Sequence, residues 1–116
     1  GIEVDLGTRR ALVAAGPAAL ATKLERPLFA ACITYENETP TGADVRVRCV
    51  GPINADGQER PGLNRVEALT QAWVDEFAAM MATKAQDWHM MQRVYVEDLD
   101  PERLARARAE HERKNR

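Results

Sequence analysis

Hydrophobic and polar side chains alternate at the start of the chain, over residues 2–6, which predicts a strand with one apolar face. The apolar positions are Ile2, Val4 and Leu6. Glu3 and Asp5 therefore lie together on the opposite face of this strand. A turn at residues 7–8 leads into a second predicted extended run, over residues 10–14.

A first helix is predicted from Gly16-Pro17 to about Arg26, because proline fits the first helical position, where its missing amide hydrogen would have no partner. Residues 28–35 are apolar almost throughout, which is typical of a strand covered on both faces, and they form the predicted central strand. Residues 44–50 alternate again after a run of turn residues. Together the two runs predict an antiparallel hairpin.

A long amphipathic helix is predicted from Leu63 to about Lys84, after an exposed loop over residues 51–62. Its large apolar residues recur at intervals of three and four: Val66, Leu69, Trp73, Phe77, Met80 and Met81. A helix with this pattern lies on a core. We interpret its methionines as residues that fill gaps in that core rather than as ligands.

The segment Asp87-Trp88-His89-Met90-Met91-Gln92 follows this helix and holds one of the two tryptophans and one of the two histidines. A general base needs a partner within hydrogen-bond reach, and no neighbour in the sequence supplies one for His89. We therefore interpret His89 as structural and expect Trp88 and Met90 to close the core. Residues 93–97 are predicted to be extended.

A last helix is predicted to begin with Asp100 as its cap and Pro101 in its first turn. From residue 101 to residue 116 there are six Lys or Arg against three Glu, a charge of +3, whereas residues 1–100 carry −5. Leu104 is the one large apolar residue of this helix, and a helix in a lipid interface needs a broad apolar face. The sequence therefore favours a solvated tail, with contact to lipid headgroups as an alternative.

The length and composition of the chain predict one domain with a small core, since 45% of its 116 residues are apolar. A net charge of −2 argues against nucleic acid as a partner, because proteins that bind it carry a basic face. The cysteines and histidines are scattered too widely for a zinc site, so no metal is expected. Without an export signal, Cys32 and Cys49, roughly opposite each other in the predicted hairpin, are interpreted as buried and reduced.

Three segments, taken in order, resemble one protein family: GIEVDL at residues 1–6, AGPAALA at residues 15–21 and DWHMMQ at residues 87–92. They resemble the C-terminal portion of the lipid A biosynthesis acyltransferase-like family, in the lysophospholipid acyltransferase superfamily, and are closest to its actinobacterial branch, the phosphatidylinositol mannoside acyltransferases. The resemblance implies an α/β fold, in which residues 1–100 are the C-terminal part of a mixed β-sheet flanked by helices, incomplete here, and residues 101–116 are a basic helical tail.

The resemblance also implies an enzyme that moves a fatty acyl group from a thioester, acyl-CoA or acyl-carrier protein, to a hydroxyl of a glycolipid, in this branch a mannose of phosphatidylinositol mannoside. No cofactor is implied beyond the donor thioester. Such an enzyme is cytoplasmic and makes peripheral contact with the inner face of the plasma membrane.

The catalytic His of this family lies in an H-x-x-x-x-D or H-x-x-x-x-E motif upstream of the matched region. That motif is absent here, since Val94 follows His89 by five residues and Arg116 follows His111 by five. We therefore expect the chain to be inactive alone and to have the missing N-terminal part of the same protein as its partner.

Glu3 matches, by its place in the first segment, a carboxylate that the family uses together with this His. Such a carboxylate fixes the tautomer of the imidazole and stabilises the imidazolium. Asp5, on the same face of the strand, is the runner-up. Simple solvent exposure is the alternative for both acids.

The start of the first helix, at Gly16, Pro17 and Ala18, is a candidate substrate-binding site. Free amides there, those of Ala18 and Ala19, suit an anionic headgroup, a phosphate or an oxyanion, although an ordinary helix start is the alternative. The apolar residues Leu20, Phe29 and Ile33 are candidates for the wall of an acyl-chain tunnel, with a plain core as the alternative.

Two hypotheses remain open from the sequence. The chain is a C-terminal segment of a glycolipid acyltransferase, or it is a non-catalytic module of the same fold that binds lipid or another protein. A truncated sheet exposes a hydrophobic edge or face, so self-association is a further expectation.

Overall fold

The structure combines two small antiparallel sheets with three helices, as seen in a computed structural model that describes residues 1–56, 64–88 and 94–116. The strands are β1 (Ile2–Leu6), β2 (Arg9–Val13), β3 (Ala30–Thr39) and β4 (Gly42–Val50). The helices are α1 (Gly16–Leu24), α2 (Arg65–Met81) and α3 (Pro101–Lys114), and short 3₁₀ turns span Ala85–Asp87 and Val96–Asp98. The predicted α/β class is confirmed.

The strands of the described residues form two separate pairs, β1 with β2 and β3 with β4. The mixed sheet implied by the family resemblance is not seen among them. Both pairs are antiparallel, which needs only a short turn between the strands. In the first pair that turn contains Gly7, whose φ of 62° is easily adopted by glycine.

A short extended segment continues the first sheet beyond β2. Tyr95 forms a single antiparallel bridge to Ala11, and the carbonyl of Val94 accepts a hydrogen bond of 2.8 Å from the amide of Leu12. The prediction of extended chain over residues 93–97 is therefore confirmed for these two residues and wrong for Val96 and Glu97, which lie in a 3₁₀ turn, while residue 93 lies outside the described residues.

Helix α2 is the main structural element, as predicted. It begins with a capping box, in which the Asn64 side chain accepts from the Glu67 amide at 2.9 Å and the Glu67 carboxylate accepts from the Asn64 amide at 3.2 Å. This exchange satisfies amides that a helix start leaves without partners. Met80 and Met81 are buried, which confirms that the methionines belong to the core.

Three apolar clusters meet along α2. Val74 packs with Ile2, Val4 and Ala11 of the first sheet. Met80 and Met81 pack with Ala30 and Cys32 of β3, and Leu69 packs with Ala18 and Ala21 of α1. Both sheets and α1 are thus held to one helix, which explains why apolar residues recur along its whole length.

The first helix ends earlier than predicted. It stops at Leu24 rather than near Arg26, because Glu25 takes the left-handed conformation, with φ 51° and ψ 46°. A residue in this conformation lets the chain leave the helix while its amide still bonds the last turn.

Strand β3 is covered on one face, so the prediction of a central strand covered on both faces is wrong. Ala30, Cys32 and Thr34 are buried, whereas Ile33, between them, is 57% exposed. Helix α2 packs on one face only, and β4 is exposed along nearly its whole length. A run of apolar residues does not show whether an element covers each face of a strand, and within the described residues no element covers the second face of β3.

The register of this hairpin separates the two cysteines. Cys32 lies opposite Arg48, and Cys49 lies opposite Ala31, so the thiols are on opposite faces. Both are free; Cys32 is buried, and Cys49 is exposed. The prediction of a buried thiol is confirmed for Cys32 and wrong for Cys49.

The outer edge of β3 is bonded by side chains that follow α2. The Tyr35 amide donates to Asp87 Oδ2 at 3.1 Å, and its carbonyl accepts from Lys84 Nζ at 2.9 Å. Trp88 packs near Met80 and Met81 and meets the Phe77 ring edge-on, with 5.7 Å between the ring centroids. Trp88 therefore helps to close the core, as predicted.

The predictions for His89 and Met90 fall outside the described residues. Among the residues that are described, no helix has the length and apolar character needed to cross a bilayer.

Candidate functional site

A polar cleft of about 310 Å³ lies beside β1, between β2, the first half of α2 and α3. Charged and amide side chains from all four elements line it: Glu3, Asp5, Arg10, Glu67, Gln71, Arg108, His111 and Glu112. Both predicted catalytic carboxylates thus lie in one cleft, and they share one face of β1, as their alternation predicted.

Glu3 is held in this cleft by arginines. Arg108 Nε donates to Glu3 Oε1 at 2.7 Å, and Nη2 of the same guanidinium lies 3.4 Å from Oε2. Arg10 Nη1 is 3.7 Å from Oε2. The Glu3 side chain is 18% exposed, so it is neither buried in the core nor freely solvated.

The hydrogen bond from Arg108 holds the pKa of Glu3 below its usual range; partial burial opposes this shift, and the charges of Arg108, Arg10 and His111 add to it. Glu3 is therefore a carboxylate at neutral pH. In this state it accepts hydrogen bonds and stabilises a neighbouring cation, but it has no proton to donate. These are the properties required of the partner of a catalytic imidazole.

Asp5 shares the cleft but is bound differently. Its amide donates to Gln71 Oε1 at 2.8 Å, and its carbonyl accepts from Gln71 Nε2 at 2.9 Å. Its carboxylate lies 3.7 Å from Arg10 Nε and is about half exposed. The backbone of Asp5 is therefore fixed, whereas its carboxylate is less restrained than that of Glu3.

The cleft also contains a histidine that the sequence analysis set aside. His111 Nε2 lies 2.7 Å from Glu67 Oε1, and the Glu67 side chain is 10% exposed. The Asn115 amide is 3.4 Å from the same oxygen. Glu67 thus serves both as the capping residue of α2 and as the attachment point of α3.

The spacing of half-buried residues along α3 is the signal that would have placed this helix in the site. These residues are Leu104, Ala107 and His111, which share one side of the helix. Arg108 lies next to that stripe. A count of large apolar residues does not reveal this contact face, because His111 and Arg108 make its contacts through polar groups.

The predicted start of α1 at Gly16 and Pro17 is confirmed, but its amides are not all free. The Ala19 amide donates to the Ala15 carbonyl at 2.9 Å, contrary to expectation. Ala18 is fully buried, and a side chain at Gly16 would meet open space. The binding role of Gly16, Pro17 and Ala18 stays a prediction.

An apolar pocket of about 510 Å³ adjoins the polar cleft, because Leu12 lines both. Its apolar wall includes Leu6, Val13, Trp73, Phe77, Trp88 and Val94, and Arg103 of α3 also lines it. Leu20, Phe29 and Ile33 do not line this pocket and are each more than half exposed. The alternative of a plain core is therefore wrong for these three residues, and their role in an acyl-chain tunnel stays a prediction.

Within the part of the chain that the structure describes, no group of three or more His, Cys, Asp or Glu side chains is arranged to hold a metal ion. The cleft offers the carboxylates of Glu3 and Asp5, the guanidinium groups of Arg10 and Arg108, and the imidazole of His111 paired with Glu67.

Comparison with known proteins relates the chain to an acyltransferase. No protein-family model matches the chain. The chain is 35% identical over 106 residues to the phosphatidylinositol mannoside acyltransferase of Mycolicibacterium smegmatis. The matched region is 91% of this chain, whereas the chain spans about a third, 31%, of that relative's length. The predicted likeness to acyltransferases is thereby confirmed, while the glycerolipid-acyltransferase fold is not shown.

Proposed function

We propose that this chain is a segment of an acyltransferase that transfers a fatty acyl group from acyl-CoA or acyl-carrier protein to a hydroxyl of a membrane glycolipid, a phosphatidylinositol mannoside. The observation that carries this proposal is the identity of 35% over 106 residues with the mycobacterial enzyme of that name. The thioester donor, the peripheral position on the inner face of the plasma membrane and the cytoplasmic location come from the family resemblance.

In this proposal Glu3 is the carboxylate partner of a catalytic His that lies outside residues 1–116. The imidazole takes a proton from the acceptor hydroxyl, and Glu3 orients the ring and stabilises its charged form. The lowered pKa of Glu3 and its hydrogen bond from Arg108 support this role, because both indicate a carboxylate that readily pairs with a cation, as it would with the imidazolium.

The apolar pocket next to the cleft receives the acyl chain. Its apolar walls suit a hydrocarbon, which binds by removal of apolar surface from water. Leu12, which is paired with Glu3 across the hairpin, separates the two compartments. This arrangement places a carboxylate beside an apolar cavity, as acyl transfer to a polar acceptor requires.

The test is acyl transfer from a radiolabelled acyl thioester to phosphatidylinositol mannoside, with the complete protein and with residues 1–116 alone. We expect turnover only from the complete protein, in which Glu3→Gln lowers turnover by about 100-fold or more. Glu36→Gln is the matched control, because Glu36 is also a strand carboxylate paired with an arginine, Arg46 at 3.5 Å, but lies outside the cleft.

Full turnover by the Glu3→Gln protein would remove Glu3 from the mechanism. Transfer by residues 1–116 alone would contradict the expectation that the base lies elsewhere. An upstream reading frame without an H-x-x-x-x-D or H-x-x-x-x-E motif would overturn the acyltransferase proposal itself.

The exposed apolar side chains favour a second candidate function, a non-catalytic lipid-binding or protein-interaction module. Ile33 lies opposite Val47 on the open face of the β3–β4 hairpin, and they are 57% and 60% exposed. An apolar face of this kind also favours self-association. Sedimentation of residues 1–116 tests this; a strictly monomeric profile in which Val47→Glu changes nothing would contradict it.

A further inference from the structure

Helix α3 covers the cleft that contains Glu3 through polar contacts spaced along two turns. Arg108 bonds Glu3, and His111 bonds Glu67. Asn115 then bonds Glu67 and accepts from the Asn64 side chain, both at 3.4 Å. Each contact joins α3, or the cap residue that ends it, to β1 or to the start of α2, so α3 is a strap that forms one wall of the cleft and caps Glu3 with Arg108.

Little else fixes this strap. None of the residues of α3, all of which lie in the described range 94–116, is buried. Leu104 and Ala107 are only half-buried, and α3 packs on no described element as extensively as α1 packs on α2. Each of the two charged contacts has its exposed partner on α3, Arg108 at 56% and His111 at 36%, and contacts that water reaches are weak and are screened by salt. The attachment of α3 is therefore mainly electrostatic and open to competition.

The charge distribution indicates which competitor is favoured. Residues 101–116 carry +3 and residues 1–100 carry −5. An anionic surface attracts the helix and repels the rest of the protein. Arg106 and Arg113 are exposed and lie on the side of α3 away from His111, where they meet such a surface first.

We propose that α3 is a displaceable cover, which leaves the carboxylates of the cleft for an anionic lipid surface and so exposes Glu3 when the protein reaches the membrane. Cationic side chains near anionic lipid are attracted strongly enough to compete with exposed ion pairs. Because α3 lacks a broad apolar face, this exchange depends on charge and not on insertion into the bilayer. The choice of lipid over another polyanion rests on the proposed function.

Carbodiimide labelling of Glu3, read by mass spectrometry, tests the proposal directly. With residues 1–116 at low salt, we expect vesicles of phosphatidylglycerol to raise the labelling of Glu3 by about fivefold. The reason is that the vesicles shift the population from the state in which α3 covers Glu3 to the state in which Glu3 is accessible. Vesicles of phosphatidylcholine leave the labelling unchanged. The exposed carboxylate of Glu38 serves as the internal reference.

Two variants distinguish protection of Glu3 by α3 from a general effect of the positive charge on the helix. Arg108→Gln breaks the bond to Glu3, so labelling of Glu3 is high without vesicles. Arg106→Gln makes the same change in charge on the same helix, but Glu3 stays as protected as in the wild type. Circular dichroism checks that both variants remain folded.

Equal protection of Glu3 in the Arg108→Gln and wild-type proteins would overturn the proposal. So would binding to phosphatidylglycerol vesicles with Glu3 still protected, or the absence of binding to them. An equal rise with soluble polyphosphate would overturn the assignment to a lipid surface. Labelling needs no acyl donor, so its outcome is independent of whether acyl transfer fails.

Discussion

Helices α2 and α3 have similar lengths, 17 and 14 residues, yet they are held to the protein in different ways. Both begin with a side-chain cap, Asn64 in α2 and Asp100 in α3. Nine residues of α2 are buried, and none of α3 is. The comparison shows that a cap is enough to start a helix, whereas a buried apolar face determines whether the helix is fixed to the core or can detach from it.

The largest expected difference between the two helices concerns their apolar contacts. Leu69→Ala in α2 is expected to lower the free energy of unfolding by about 2–4 kcal/mol, because Leu69 is buried against α1. Leu104→Ala in α3 is expected to cost less than about 1 kcal/mol, since Leu104 is only half-buried. Urea unfolding measures both. Equal losses would show that α3 is anchored like α2.

The caps give a smaller contrast. Asn64→Ala removes the capping box and is expected to cost about 1 kcal/mol of global stability. Asp100→Ala removes the bond to the Glu102 amide, at 3.1 Å, and is expected to reduce helix content without moving the urea midpoint. An equal fall in the urea midpoint for both variants would contradict the expectation that α3, unlike α2, contributes little to global stability.

Glu3 links the two helices through pH. Its folded-state pKa lies below that of an unfolded glutamate, so its ionised form contributes stability above the usual glutamate range, and this contribution is lost as the pH falls through the lowered pKa. We expect Arg108→Gln to raise the pKa of Glu3 and weaken this dependence. NMR titration of the Glu3 side chain measures the shift; an unchanged midpoint would mean that Arg108 does not hold Glu3 in solution.

The smallest expected effect is in backbone hydrogen exchange. Amides of α3 are expected to exchange faster than those of α2, because α3 can open without exposing buried apolar surface. Added salt is expected to widen this difference by screening the contacts of Arg108 and His111. NMR exchange rates at low and high salt provide the measurement, and salt-independent rates in α3 would contradict an electrostatic attachment.

Local patterns predicted most of the elements. Alternation placed β1 and put Glu3 and Asp5 on one face, and the intervals of three and four located α2. These signals depend only on neighbours within one element, so they can be recognised without knowledge of the fold. The same reasoning failed for β3, because apolar residues show that a face can be buried but not that another element covers it.

The candidate site was less predictable because its contacts join distant residues. Arg108 bonds a residue 105 positions earlier in the chain, and His111 bonds Glu67, 44 positions earlier. No local pattern pairs these residues. The family resemblance directed attention to Glu3, but the cation that keeps it ionised became visible only when α3 was seen across the cleft.

The hydrogen bonds of Gln71 affect whether a further strand can add to the first sheet. Its amide group bonds both the N–H and the C=O of Asp5, which is the hydrogen-bonding pattern that a neighbouring strand would offer. Asp87 and Lys84 do the same for Tyr35 at the edge of β3. Side chains from α2 and the turn after it thus act as substitutes for a strand one residue long. Any strand that adds to either edge has to end or bend at these positions, so the same helix that holds the sheets together also limits how far they can be extended.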